Sequence, residues 1–193
     1  MISARLNHRF DKPLAPFAHQ IILTGITPNF LTFAGFIVSL AASASFVSGM
    51  PRLAGILILL SGGFDLLDGV VARTTGKATR FGAFLDSVLD RYSDAALFLG
   101  IGILLSENPI NILILSLTFI GTFLISYVRA RAEGLGFTCN IGLMERPERI
   151  ILLSIGGIFN ILVPVLWILL VLTHLTVLQR IYHIWSKTRR TGG

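Results

Sequence analysis

The chain has almost no means of cross-linking itself. A single cysteine, Cys139, in 193 residues excludes an internal disulfide and a metal site built from thiolates. Charge is scarce as well. Only 13% of the residues are Asp, Glu, Lys or Arg, about half of the ~25% usual in a soluble domain, which argues against a soluble fold. No polar stretch is long enough to fold alone, so residues 1–193 read as a single membrane domain without a soluble partner domain. The first twenty residues hold no uninterrupted apolar run, so no cleaved signal peptide is expected. Neither an internal repeat nor a low-complexity tract is present. His8, His19, His174 and His183 fall near the ends of apolar runs without metal-ligand spacing.

What the chain does have is apolar length. Hydrophobic residues make up 53% and the mean hydropathy is +0.78. Thr27-Pro28 and Asn108-Pro109 combine a capping side chain with a proline suited to a first helical turn. Gly49, Gly134 and Gly136 mark helix ends. The segments 30–48, 51–71, 82–105, 109–132, 146–160 and 164–185 each approach the ~20 residues needed to cross the hydrocarbon core. The fold class expected is an all-α membrane protein of six transmembrane helices over 27–186. In residues 1–20, Ile2, Leu6, Phe10, Leu14 and Phe17 recur at helical spacing opposite Arg5, Arg9 and Lys12. That pattern suits an amphipathic juxtamembrane helix lying in the headgroup layer; a frayed basic tail is the alternative.

Formal net charge is +6 and the pI is about 10.2. In a multi-pass chain this excess follows the positive-inside bias and contact with anionic headgroups, so membrane lipids are the expected partners and no nucleic acid is. With six spans, all of the 16 Lys and Arg except Arg52 fall on or near one side. That side, with both termini and the 72–81 and 133–146 loops, is expected to be cytoplasmic.

Five aspartates crowd into 64–94: Asp65, Asp68, Asp86, Asp90 and Asp94. An uncompensated Asp at a bilayer centre costs ~2.5–3.5 kcal/mol, so five would cost roughly 12–17 kcal/mol. Bound divalent metal at the polar boundary is the simplest offset. Asp65 and Asp68 are three apart; Asp86, Asp90 and Asp94 are four apart, so each set lies on one helix face. The 72–81 loop is expected to fold the second span against the third and bring the two faces together. Several carboxylates suit Mg²⁺ or Mn²⁺, and four can hold two ions that clamp the oxygens of a phosphoryl displacement. The rival is an acid-lined path for protons or metal ions. Gly69 favours the first reading, since it lets a ligand approach the backbone. So does Arg73, one turn on, which can fork onto a phosphate.

The pattern Asp65-x2-Asp68-Gly69-x2-Ala72-Arg73-x8-Gly82-x3-Asp86-x3-Asp90 resembles that of the CDP-alcohol phosphatidyltransferases, and the likeness covers most of the chain. It implies transfer of a phosphatidyl group from a CDP-linked lipid to an alcohol, with release of CMP. By the same resemblance, Asp65, Asp68, Asp86 and Asp90 would hold the metals, and Asp90 would be the base for the acceptor hydroxyl. Gly69, Ala72, Arg73 and Gly82 would line the nucleotide pocket, joined by Asn29, Thr32 and Thr79. The family also implies a homodimer. Asp94 lies outside the pattern, as an orienting partner for Arg91 or a further metal neighbour.

The acceptor is less sharply written. Arg129, Arg131, Arg146, Arg149 and Arg180 gather on the acidic side, which would suit an acceptor bearing its own phosphate; positive-inside charge is the alternative. The segments 126–133, 145–149, 175–180 and 90–94 resemble those of the prokaryotic phosphatidylinositol-phosphate synthases. In that branch basic residues hold the phosphate of inositol phosphate, implying Arg129, Arg146, Arg149 and Arg180 here. Arg129 stands where the branch has lysine, which keeps the charge and changes the geometry. Glycerol phosphate and a phosphate-free alcohol therefore stay open.

Overall fold

The computed structural model describes Gln20 and residues 25–190. The expected juxtamembrane helix over 1–20 lies, apart from Gln20, outside the described residues. Among those described there is no strand. Six helices follow one another: α1 (Pro28–Val47), α2 (Pro51–Thr74), α3 (Arg80–Leu104), α4 (Pro109–Gly134), α5 (Arg146–Ile158) and α6 (Leu162–Arg190).

Their starts obey local rules. Thr27 Oγ1 accepts from the Phe30 amide and Asn108 Oδ1 from the Ile110 amide, each with proline in the first turn. Thr79 caps α3 by accepting from the Gly82 amide at 2.9 Å. Glu145 and Glu148 form a reciprocal capping box on α5. The ends are equally defined. Gly49 and Gly136 adopt φ of +71° and +83°, and the amides after them bond back to Ser45 and Ala132, closing α1 and α4 in the manner of a Schellman turn. Asn160, with φ 58°, closes α5 the same way.

Four helices, α1, α2, α4 and α6, are long and apolar enough to cross a membrane. The other two expected spans, α3 and α5, fall outside that set for separate reasons. Helix α3 has the length, but Arg80, Asp86, Asp90, Arg91 and Asp94 occupy its first four turns. Helix α5 has 13 residues; at ~1.5 Å per residue it reaches only about 20 Å, short of the ~30 Å hydrocarbon core.

The centre is a layer of apolar side chains, including Phe46, Ile58, Leu97, Ile101, Leu166 and Leu169. Large apolar side chains such as Phe33, Ile37, Leu60, Leu99, Leu113 and Ile168 are exposed, as in a protein solvated by lipid. Helix α1 is the hub for the acidic region, lying against both α2 and α3. On one side Ser61 Oγ donates to Gly35 O at 2.9 Å. On the other, Ser39 and Ser93 share a hydrogen bond of 2.9 Å, and Ser43 meets Gly100 so closely that a Cβ there would lie 2.6 Å from Ser43 O. Helix α2 also docks on α5, and α4 on α6. The expected packing of α2 on α3 is not what forms: these two make no extended contact. Helix α1 lies against both, and their acidic faces meet across Arg146, one nitrogen of which reaches Asp65 and Asp90.

Candidate active site

Two clefts open at the end of the bundle where α1 and α3 begin and α2 stops. The first, about 240 Å³, brings together the donor residues named from sequence: Asn29, Thr32, Asp68, Gly69, Ala72, Arg73, Thr79 and Gly82 all line it. Its chemistry is that of an anion site. The N-termini of α1 and α3 carry partial positive charge from unpaired backbone amides, and Arg73 and Lys77 add formal charge. The glycines set its shape. A Cβ on Gly82 would lie 2.9 Å from both Asn29 Oδ1 and Thr79 Oγ1, and one on Gly69 would lie 2.9 Å from Arg73 Nη1. Asp68 stands on the inner wall, only 6% exposed, with Thr32 beside its carboxylate.

The second cleft is larger, about 760 Å³, and lies between α3, α4 and the start of α5. Asp86, Asp90 and Asp94 form one wall; Arg129, Arg146, Arg149 and Arg180 are all in its lining. Asp86 belongs to both clefts, so the two share a wall at this carboxylate.

The arginines differ in what they already hold. Arg146 bonds Asp65 on α2 and reaches Asp90 Oδ1 on α3 at 2.8 Å, with Asp94 Oδ1 3.9 Å from its Nε. Arg149 Nη2 pairs with Asp94 Oδ2 at 3.1 Å. Asp94 thus faces α5. Arg91, set beside it in sequence, has its nearest ion pair with Asp90, at 3.9 Å. Arg180 is 1% exposed and tied to structure: Nε donates to Ile141 O at 2.8 Å, Nη1 to Ile125 O at 2.6 Å, and Nη2 lies 3.6 Å from Glu145 Oε1. Arg129 pairs with Glu133 at 2.9 Å on the outer wall.

A donor cleft for a diphosphate, joined through a carboxylate wall to an arginine-lined cleft, fits group transfer between two substrates. The family model for CDP-alcohol phosphatidyltransferase matches residues 25–185. The chain belongs to the CDP-alcohol phosphatidyltransferase family. It is a membrane enzyme of phospholipid biosynthesis, in a family that uses divalent metals. Among its relatives is the archaetidylinositol phosphate synthase of Pyrococcus horikoshii, 38% identical over 93% of this chain and 94% of that one. The phosphatidylinositol phosphate synthase of Mycobacteroides abscessus is 36% identical over 91% and 84%. The crystal structure of Mycobacterium tuberculosis phosphatidylinositol phosphate synthase with CDP-DAG bound superposes with a TM-score of 0.81 at 32% identity, over 89% of this chain and 92% of that one. The same enzyme in complex with manganese and citrate also gives 0.81.

For this phosphatidyltransferase the donor set suits a hard divalent ion: carboxylate oxygens and no thiolate or imidazole. One of them, Asp68 Oδ2, is buried without a hydrogen-bond partner, as expected of an oxygen kept for a cation. The carboxylates do not converge on a single point; among the described residues no three acidic or imidazole groups are close enough to hold an ion. Arg146 stands between Asp65 and Asp90 instead. Sequence reasoning passed over Lys77 as a cleft residue, since a lysine in a polar loop has no periodic signal. It also passed over Thr79 as the cap that seats Gly82, although Thr79-x2-Gly82 has the spacing of a capping side chain and the amide it accepts from.

Proposed function

We propose that this phosphatidyltransferase moves the lipid-bearing phosphoryl group of a CDP-linked lipid onto inositol phosphate and releases CMP. The observation that carries the reading is the shared wall: Asp86 lines both a cleft suited to a nucleoside diphosphate and a cleft lined by arginines. Names among the relatives support the acceptor, since archaetidylinositol and phosphatidylinositol phosphate synthases both carry inositol phosphate in their products.

In this reading Asn29, Thr32, Gly69, Ala72, Arg73, Thr79 and Gly82 seat the cytidine diphosphate, and Asp65, Asp68, Asp86 and Asp90 hold two divalent ions, Mg²⁺ or Mn²⁺. Bound ions neutralise the diphosphate and stabilise the departing phosphate oxygen. The acceptor's own phosphate rests on Arg149, with Arg129 and Arg146 around it; Arg180, whose Nε and Nη1 donate to backbone carbonyls, braces that wall. Its hydroxyl gives a proton to Asp90 as its oxygen bonds to the lipid-bearing phosphorus. The bond from that phosphorus to the CMP oxygen breaks and CMP leaves. The active site faces the cytoplasm, with both termini, and the enzyme works as a homodimer.

The test is CMP release from CDP-diacylglycerol by the purified protein with Mn²⁺ and four acceptors in turn: inositol phosphate, glycerol phosphate, inositol and serine. Inositol phosphate is expected to give the highest kcat/KM. Arg149→Ala is expected to lower that value about tenfold or more, the worth of one charged hydrogen bond, while lowering it little with inositol. Equal rates with inositol and inositol phosphate would refute the acceptor assignment.

A further inference from the structure

Arg146 occupies a place that is costly for a cation. It is the first residue of α5, where unpaired backbone amides already carry partial positive charge. Its side chain is only 20% exposed, so water offsets little of that cost. The carboxylates around it do. They come from two helices: Asp65 on α2, and Asp90 with Asp94 on α3. Since α2 and α3 make no extended contact, this guanidinium is the link between their acidic faces. Two of its partners, Asp65 and Asp90, are carboxylates assigned to metal above. An oxygen lone pair aimed at a guanidinium N–H cannot also ligate an ion, and a guanidinium bonded to both acids fills the space between them.

We propose that Arg146 and a divalent cation are alternative counter-ions of Asp65 and Asp90. Arg146 releases them by swinging from between them into the adjoining arginine-lined cleft, where it joins Arg149 on the acceptor's phosphate. The idea rests on the metal and acceptor assignments of the proposed function and adds an order to them. A phosphate that holds Arg146 in the cleft frees the carboxylates, so acceptor and metal each raise the other's affinity by the same factor. The metal site then fills at a lower metal concentration once an acceptor is in place, which favours the acceptor over water in attack on the donor.

The test is Mn²⁺ binding followed by electron paramagnetic resonance on the full-length protein in detergent, without donor, for wild type, Arg146→Ala, Arg146→Lys and Arg149→Ala. Arg146→Ala is expected to bind Mn²⁺ at least about fivefold more tightly, the low end of ordinary coupling between sites. Arg149→Ala removes the same charge from the same cleft, but Arg149 pairs with Asp94 among the described residues, which is not one of the assigned metal ligands, so Mn²⁺ affinity is expected to change less than about twofold. Adding inositol phosphate is expected to tighten Mn²⁺ binding in wild type and not in Arg146→Ala. If the alanine variant does not fold, Arg146→Lys decides: the one nitrogen Nη1 reaches both carboxylates, and a lysine ammonium sits one bond nearer its own backbone, so it too is expected to bind Mn²⁺ more tightly than wild type. Unchanged or weaker Mn²⁺ binding in the folded Arg146 variants overturns the inference, as does equal tightening in Arg149→Ala. Absence of Mn²⁺ binding from every protein would sink the metal assignment itself, and this inference with it.

Discussion

Residues in this site divide by whether their partners are substrates or the protein itself. Asp90, on the wall of the arginine-lined cleft, has the base role, and Asp90→Asn is expected to slow CMP release by roughly 10²–10⁴-fold with the melting temperature kept; a variant within threefold of wild type would remove it from that role. Arg180 is the opposite case. Its Nε and Nη1 hold two backbone carbonyls, and leaving those buried carbonyls unpaired costs ~1–3 kcal/mol each. Arg180→Ala is therefore expected to lower the melting temperature and to slow turnover with phosphorylated and unphosphorylated acceptors alike. Selective loss with inositol phosphate at unchanged stability would show instead that its free N–H groups hold the acceptor. The sequence made the acids legible because helical spacing is local: three or four residues put side chains on one face wherever the helix goes. It could not reveal that Arg146 reaches Asp65, 81 positions away, because that contact is made by the docking of α5.

At the scale of the helices, close backbone approach fixes the geometry. A Cβ on Gly55 would lie 2.6 Å from Ser154 O and from Ile158 N, and one on Gly157 would lie 2.7 Å from Pro51 O. These glycines let α5 dock on α2, which puts Arg146 and Arg149 over the acids. Gly55→Val is expected to destabilise by about 1–3 kcal/mol through overpacking and, by drawing Arg146 off the acids, to tighten Mn²⁺ binding, read by thermal melts and resonance titration; neutral behaviour would mean α5 can shift freely. Thr79→Val removes the cap on α3, with an expected cost of about 0.5–2 kcal/mol, and should raise the KM for CDP-lipid more than it lowers kcat. The cap-and-proline starts at Thr27 and Asn108 were readable because their chemistry lies within four residues. The bounds of the 146–160 segment were readable too: Arg146-Pro147 opens α5, and Asn160 closes it two residues after the helix ends. The lack of extended contact between α2 and α3 was hidden. A short loop between two helices argues for contact, and only the small residues of α1, Gly35, Ser39 and Ser43, reveal what lies against both.

For the molecule as a whole, the fold is a lipid-facing bundle whose polar chemistry is confined to one end. Hydropathy was enough to see that, since exposed Phe, Leu and Ile on the outer faces are tolerable only in lipid. The proposed sidedness rests on the arginine and lysine distribution and has its own test. In a Cys139→Ser background, Lys77→Cys is expected to react with a membrane-impermeant maleimide only after the cytoplasmic face is opened, and Glu107→Cys from intact cells; the reverse pattern would invert the topology. The central claim is that carboxylates from α2 and α3 share divalent ions at the wall between donor and acceptor clefts. Anomalous diffraction from crystals grown with Mn²⁺ and CDP-diacylglycerol tests it most directly. The expected result is manganese within about 2.0–2.3 Å of oxygens from at least three of Asp65, Asp68, Asp86 and Asp90, touching the diphosphate. Manganese bound elsewhere, with the diphosphate seated away from these acids, would contradict it.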